Sequence, residues 1–314
     1  MNMSSITEQA ALRQRPCRVG VLEFMRRQCA QMYSAGRFGT ARNYDKALRN
    51  FSAFLGGRDI RFSQLTVALV GEYNAFLVRR GMVRNSISFY MRIMRAVYNR
   101  AVRQGVARQP HPFAEVYTGI DRTRKRAVSE AIVAELCRLS IDGDYGLALA
   151  RDMFVFSFCA RGMAFVDMAY LHKSDVEDGV LRYVRRKTGQ LMTVRVEECA
   201  GRIIERYSTN AGDYVFPILT DEDRGNAYEQ YHSALNVYNR RLAILSRMLG
   251  ISCRLTSYTA RHSWATVARN RNVPVSVISA GMGHTTEQTT RIYIASLEDS
   301  IIDDANREVL SFLE

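Results

Sequence analysis

Lysine is scarce in this chain. Of 44 basic residues only Lys46, Lys125, Lys173 and Lys187 are lysine, so arginine carries nearly all the positive charge. The planar guanidinium fork suits paired hydrogen bonds to phosphate oxygens, although a general coding bias toward arginine gives the same count. Long apolar runs are lacking as well. The longest, Met153 to Ala160, is far too short to cross a bilayer, and the polar start shows no secretory leader. The six cysteines, Cys17, Cys29, Cys137, Cys159, Cys199 and Cys253, form no C-x-x-C pair and show no histidine spacing of a zinc site. They read as scattered thiols of a reducing compartment. Nothing matches the phosphate-binding loop G-x-x-x-x-G-K-[ST], and no repeat or low-complexity stretch is present. These absences predict a soluble cytoplasmic protein with no membrane association, no metal and no cofactor.

The charge that is present is unevenly spread. Residues 1–126 carry 23 basic and 7 acidic side chains, a net +16, whereas residues 127–314 carry 21 and 24, a net −3. The basic excess therefore lies entirely in the first part, which points to a polyanion partner there. With 314 residues, 47% of them hydrophobic, the chain can build two cores of ordinary size.

Periodicity predicts helices in the first part. Leu22, Met25, Cys29 and Met32 share one face of a helix over about 21–33. Thr40 stands at an N-cap position before the stripe Tyr44, Leu48, Phe51 and Leu55, which Gly56-Gly57 stops. Thr66 opens a third helix with Val70, Tyr73 and Leu77 inward. Ser86 stands at the cap of a fourth, with Ile87, Tyr90, Met91, Met94, Tyr98 and Ala101 inward. Arg84, Arg92, Arg95, Arg100 and Arg103 crowd that last helix, with few acids near them. Pro110-His111-Pro112 and the basic run 122–126 then read as a linker.

In the second part Ser129 caps a helix, and a very apolar helix covers about 145–160. The period then changes to two. Val180-Leu-Arg-Tyr-Val and Leu191-Met-Thr-Val-Arg-Val read as a β-hairpin turning at Lys187-Thr-Gly-Gln190. A long helix follows around 228–249. The reading is a mainly α protein with a small β-sheet. It comprises a basic arm over 1–18, a four-helix domain over 19–108, a linker over 109–127, and an α+β domain over 128–314 that ends in a tail helix.

The stretch from Leu255 to Ile294 carries the chemistry. It holds Tyr258 and Arg261, then Gly283-His284, then Arg291-Ile292-Tyr293. An enzyme that breaks a phosphodiester and conserves its energy needs a covalent nucleophile, and a tyrosine oxygen can serve. Guanidinium and imidazole N–H groups are natural stabilisers of the charge that gathers on the non-bridging oxygens. Taken singly, each residue is more often structural. The spacing resembles the tyrosine recombinase, or phage integrase, family, which reads His-x-x-Arg, then Gly-His, then the nucleophilic Tyr. Arg261, His284 and Tyr293 fall on that pattern, and Tyr258 stands where His is usual. A phenol is a poor general base near neutral pH.

The resemblance implies further roles. Lys187, at the hairpin tip within Arg185-Arg186-Lys187-Thr-Gly, occupies the place of a lysine that protonates the leaving 5′ oxygen. The family's first arginine has no direct counterpart. Counting back from Asp167-Met-Ala-Tyr-Leu171 puts Ala164 there, and Arg161, three residues earlier, is the candidate to supply that guanidinium. Asp167 is expected to buttress the neighbouring Arg161 or Tyr258. Thr40, Tyr44, Leu48 and Phe51 resemble the helix pattern of the family's core-binding domain, which closes over DNA opposite the catalytic domain. Arg84, Arg92, Arg95, Arg100, Arg103, Arg185 and Arg186 are then the candidate DNA contacts. The wording around Asp167 and Arg261 is similar to integrases and invertases of Bacteroidetes-type bacteria. The implied partners are double-stranded DNA, a homotetramer on two DNA sites, and accessory DNA-bending proteins. In the tail, Ile302, Ala305, Val309 and Phe312 recur at helical spacing beneath an acidic face, a pattern open to folding back or to exchange between protomers. Two other readings stay open: a type IB topoisomerase, and a DNA-binding regulator using residues 265–282 as a helix-turn-helix.

Overall fold

The computed structural model describes residues 19–108, 111–121, 127–210, 212–220 and 227–293, together with 306, 307, 310 and 311. The chain divides into two compact units, Met1–Thr123 and Arg124–Glu314.

The first unit holds four helices: α1 (Val21–Ser34), α2 (Phe38–Phe54), α3 (Val67–Arg79) and α4 (Arg84–Arg103). The predicted apolar stripes are its core. Leu22, Met25, Phe51, Tyr73, Leu77, Met91 and Met94 are buried. Tyr73 lies between Phe51 and Phe54, with ring centroids 4.9 and 5.1 Å away. Its hydroxyl donates to Asn50 Oδ1 at 2.8 Å, so its burial leaves no polar group unsatisfied. Thr66 caps α3 as expected, accepting from Leu69 N.

Thr40 and Ser86, which the spacing places at N-caps, instead lie inside first turns. Gly36 and Gly81 adopt left-handed φ of 68° and 70°. That reverses the chain early enough for α2 and α4 to start after Arg37 and Val83, neither of which makes a side-chain cap. Part of the stretch read as a linker is also different. Residues 111–121 form a strap on α4. Ser88 Oγ donates to the Gly119 carbonyl at 2.5 Å, and Asn85 exchanges hydrogen bonds with the Asp121 backbone at 2.8 and 3.1 Å. Phe113 is buried against Tyr98. The basic run 122–126 lies outside the described residues.

The second unit is mainly helical. It contains α5 (Glu130–Arg138), α6 (Tyr145–Cys159) and α7 (Phe165–Ala169). A three-stranded antiparallel sheet in sequential order follows: β1 (Val176–Glu177), β2 (Val180–Val184) and β3 (Leu191–Arg195). Then come α8 (Glu198–Tyr207), α9 (Ala227–Met248), α10 (Thr259–Asn270), α11 (Val275–Gly281) and α12 (Glu287–Tyr293). Helix α6 is apolar on nearly every face because α5, α8, α9 and α10 all pack around it. Its buried Asp152 is satisfied by Arg151 Nε at 2.7 Å, Arg206 Nη1 at 2.6 Å and the Tyr207 hydroxyl at 2.8 Å. In the hairpin, Leu181 pairs with Val194 and Tyr183 with Met192. These four side chains are buried while their neighbours face out, as the two-residue period requires.

The tail reading, on Ile302, Ala305, Val309 and Phe312, concerns residues outside the described ones; Leu310, in the same stretch, is exposed. Among the described residues no helix is long and apolar enough to cross a membrane.

Candidate active site

Helix α10 delivers Arg261 to the interior of the second unit. Ala260, Ala265 and Ala268 are buried, and their small side chains let the helix sit close to α11 and α6. Arg261 is only 3% exposed. Its Nη1 donates to the Gly162 carbonyl at 2.7 Å, and its Nη2 donates to the Met282 carbonyl at 2.6 Å and to His284 Nε2 at 3.0 Å. Gly162 makes this approach possible. It adopts φ of +73°, and a Cβ there would sit 2.8 Å from the Arg261 Cα.

These contacts settle the tautomer of His284. An arginine has no lone pair to offer, so Nε2 accepts from it. The ring proton is then on Nδ1, which donates to Thr290 Oγ1 at 2.8 Å. Thr290 is fully buried on α12, three residues before Tyr293. Burial pushes the His284 pKa down to about 4, and the charges of Arg261, Arg185 and Lys187 push the same way. The imidazole is therefore neutral near pH 7.

The hairpin supplies the other wall. Lys187 sits in the turn at its tip, exposed, as the sequence predicts. Arg185 is buried and donates through Nη1 to the Gly283 carbonyl. Arg186 is exposed and lies over the Tyr170 ring at 3.4 Å. Asp167, on α7, accepts from Arg186 N at 2.9 Å. Its expected buttressing thus falls on the hairpin backbone. Burial raises its pKa, against the lowering effect of that hydrogen bond and of Arg185, Arg261 and Arg186. Tyr183, buried on β2, feels the charges of the same groups. Burial pushes its phenol pKa well up, opposed by Arg261, Arg185 and Arg161.

The remaining predicted residues sit at the margin. Arg161 and the Ala164 place do not share a helix, since they lie between α6 and α7. Arg161 follows the end of α6 in a left-handed conformation with φ of 57°, half-buried, with Nη1 3.4 Å from the Thr193 carbonyl. Tyr258 caps α10 and is 51% exposed. Tyr293 is the last residue of α12, and its side chain lies outside the described residues. Trp264 packs beside Ala265, Ala268, Ile278 and Met282. On the first unit, α4 carries Arg84, Arg92, Arg95, Arg100 and Arg103. Two of them hold the strap. Arg84 lies over the Tyr117 ring at 3.9 Å and 3.6 Å from Asp121, and Arg95 donates to Thr118 Oγ1 at 2.8 Å.

Sequence reasoning missed Thr290 and Tyr183, and it grouped Arg185 with the DNA contacts rather than with the interior. Alternation along β2 held that last signal: Leu181, Tyr183 and Arg185 share the inward parity. Among the described residues, no cluster of side chains is fit to hold a metal ion.

Two family profiles match the chain. One, described as a phage integrase SAM-like domain, covers residues 20–116, and the other, the phage integrase family, covers residues 150–299. The tyrosine recombinase XerD of Pseudomonas aeruginosa is 22% identical over 264 residues, covering 81% of this chain and 85% of that protein. A lambda integrase dimer bound to a COC′ core site superposes with a TM-score of 0.64 at 13% identity, covering 88% of this chain and 77% of that one. A lambda integrase tetramer bound to a Holliday junction gives 0.61 at 14% identity, covering 94% and 82%.

Proposed function

The chain belongs to the phage integrase family of tyrosine recombinases, site-specific DNA strand transferases that work through a covalent phosphotyrosyl intermediate, and from that premise we propose that Tyr293 is its nucleophile. The observation that carries this assignment is the buried Arg261–His284–Thr290 chain. It ties a guanidinium and an imidazole to α12, the helix that ends at Tyr293.

The Tyr293 oxygen attacks the scissile phosphorus as its phenol proton passes to solvent, the bond to the 5′ oxygen breaks, and a 3′-phosphotyrosyl link forms. Lys187 donates the proton that the leaving 5′ oxygen needs. Attack by the 5′ hydroxyl of another strand then reverses the step and releases Tyr293. Arg161 and Arg261 clamp the scissile phosphate. Arg261 commits three of its five N–H donors to two carbonyls and to His284, which fixes the guanidinium in place beside the imidazole. With Nε2 accepting, His284 cannot donate to phosphate until that bond breaks and its proton moves. Thr290, whose hydroxyl can both accept and donate, is suited to allow that exchange. Tyr258, exposed at the helix start, offers a phenol hydrogen bond to a phosphate oxygen.

The partner is double-stranded DNA, engaged by Arg92, Arg100 and Arg103 and by the strap-held Arg84 and Arg95 of α4, with Arg185 and Arg186 from the hairpin. The core-binding module runs from residue 19 through the strap, and the catalytic domain from 128 onward. The lambda integrase tetramer on a Holliday junction supports assembly of four protomers on two sites. The test is covalent trapping on a nicked duplex whose sequence the protein selects from a random pool. A protein–DNA adduct is expected. No adduct would leave a DNA-binding regulator, and relaxation of plasmids lacking the selected sequence would indicate a topoisomerase.

A further inference from the structure

Arg185 has surroundings that folding alone does not explain. Its side chain is 5% exposed. One nitrogen donates to the Gly283 carbonyl, and among the described residues the buried Nε–H has no hydrogen-bond partner. Among the described residues it forms no ion pair with a carboxylate, although other arginines of the chain do. A buried guanidinium with an unsatisfied donor and no carboxylate in direct contact is costly. The cost is met when the missing anion is a substrate.

The neighbourhood sharpens this. Arg161, Arg185 and Arg261 all act on the Tyr183 phenol, and Arg185, Arg261 and Lys187 all act on His284. Asp167 is the carboxylate that faces this group of cations. The Gly-His element presses on Arg185 directly, since a Cβ at Gly283 would lie 3.3 Å from the Arg185 Cδ. The guanidinium is therefore fixed beside His284, on the strand end that leads into the Lys187 turn. Meanwhile the expected first-arginine place is Ala164, and Arg161 is half-buried with a long contact to a carbonyl. Resting on the recombinase reading, we propose that Arg185 is a catalytic residue, whose Nε–H donates to a non-bridging oxygen of the scissile phosphate, a third guanidinium beside Arg161 and Arg261 where the family's first-arginine place holds Ala164.

The test is single-turnover adduct formation on the selected nicked duplex, made once with an ordinary scissile phosphate and once with a methylphosphonate. The methyl group removes the negative charge, so a side chain needed to neutralise it becomes dispensable. Arg185→Ala should lose about 10²–10³ in rate on the phosphate and recover most of that loss on the methylphosphonate. Equal loss on both duplexes with an unchanged unfolding temperature would show that Arg185 only props the Gly283 loop, and would overturn the proposal. So would near-normal cleavage of the phosphate. If the alanine variant does not fold, Arg185→Lys keeps a cation and a donor for the Gly283 carbonyl but loses the fork. It should be slow on phosphate and relieved on methylphosphonate, and wild-type rates would overturn the assignment. Arg161→Ala, run alongside, should be less impaired than Arg185→Ala. If the wild type forms no adduct on either duplex, the recombinase reading fails and the assignment with it.

Discussion

Gly162 is where a single added methyl should disturb the site most. It holds φ of +73°, and a Cβ there would lie 2.8 Å from Arg261 Cα and 3.0 Å from Arg261 Cγ. The first neighbour is backbone and cannot swing away. A left-handed conformation costs a non-glycine residue about 1–2 kcal/mol. Overpacking adds about 1–3 kcal/mol, so Gly162→Ala should destabilise the protein by roughly 2–5 kcal/mol. Gly179 provides the control. Its φ is +71°, but nothing lies within 4 Å of the position its Cβ would take. Gly179→Ala should therefore show the conformational cost alone, about 1–2 kcal/mol. Urea denaturation of both variants measures the difference. Adduct formation measures its consequence, because the clash displaces Arg261 from the Gly162 and Met282 carbonyls and from His284. A misplacement of that kind can cost about 10²-fold in rate, whereas Gly179→Ala should cleave like the wild type. Equal stability and equal cleavage in the two variants would refute the close approach of Gly162 to Arg261.

Three further outcomes follow from the same geometry. A substrate with sulfur as the 5′ bridging atom should rescue Lys187→Ala, because a thiolate leaves without a proton; equal defects on both substrates would mean that Lys187 only positions DNA. The depressed His284 pKa sets a pH window. The folded ring resists protonation down to about pH 4, while the unfolded ring protonates near 6.5, so stability falls as pH drops between these values. Asp167, with its pKa raised, contributes in the opposite sense, so the comparison is with His284→Asn, whose urea midpoint should fall less over that window; superimposable profiles would remove the buried neutral imidazole from the account. Arg100→Ala and Arg103→Ala should each reduce the slope of log affinity against log salt by about 0.9, while leaving adduct chemistry at saturating DNA intact; an unchanged slope would place α4 away from the phosphates.

Much of this was legible because it is written in local periods. The four stripes of the first unit and the hairpin alternation are patterns of neighbouring residues, and so is the order Arg261, His284, Tyr293. The helix starts at Phe38 and Arg84 were not legible, because a glycine two or three residues upstream decided them rather than a capping side chain. The strap was hidden because Pro110 and Pro112 signal a break, whereas its attachment depends on Asn85 and Ser88, more than 30 residues away in sequence. The role of Gly162 is long-range as well, whereas Thr290 is only six residues from its partner His284 and was missed because a lone threonine at that spacing is no signal. Gly162 depends on Arg261, which the packing of α10 against α6 brings near. Arg185 was half legible. Strand parity points it inward, yet a run of Arg-Arg-Lys at a turn reads as a solvated charge cluster.

The central claim is that Tyr293 joins the DNA. Its most direct test is to trap the adduct on the selected nicked duplex, digest it with nuclease and protease, and find the peptide that carries the nucleotide mass. The account predicts the nucleotide on Tyr293, and predicts that Tyr293→Phe binds the same duplex with unchanged affinity and forms no adduct. A nucleotide on Tyr258 or any other residue, or wild-type adduct from the phenylalanine variant, would contradict it.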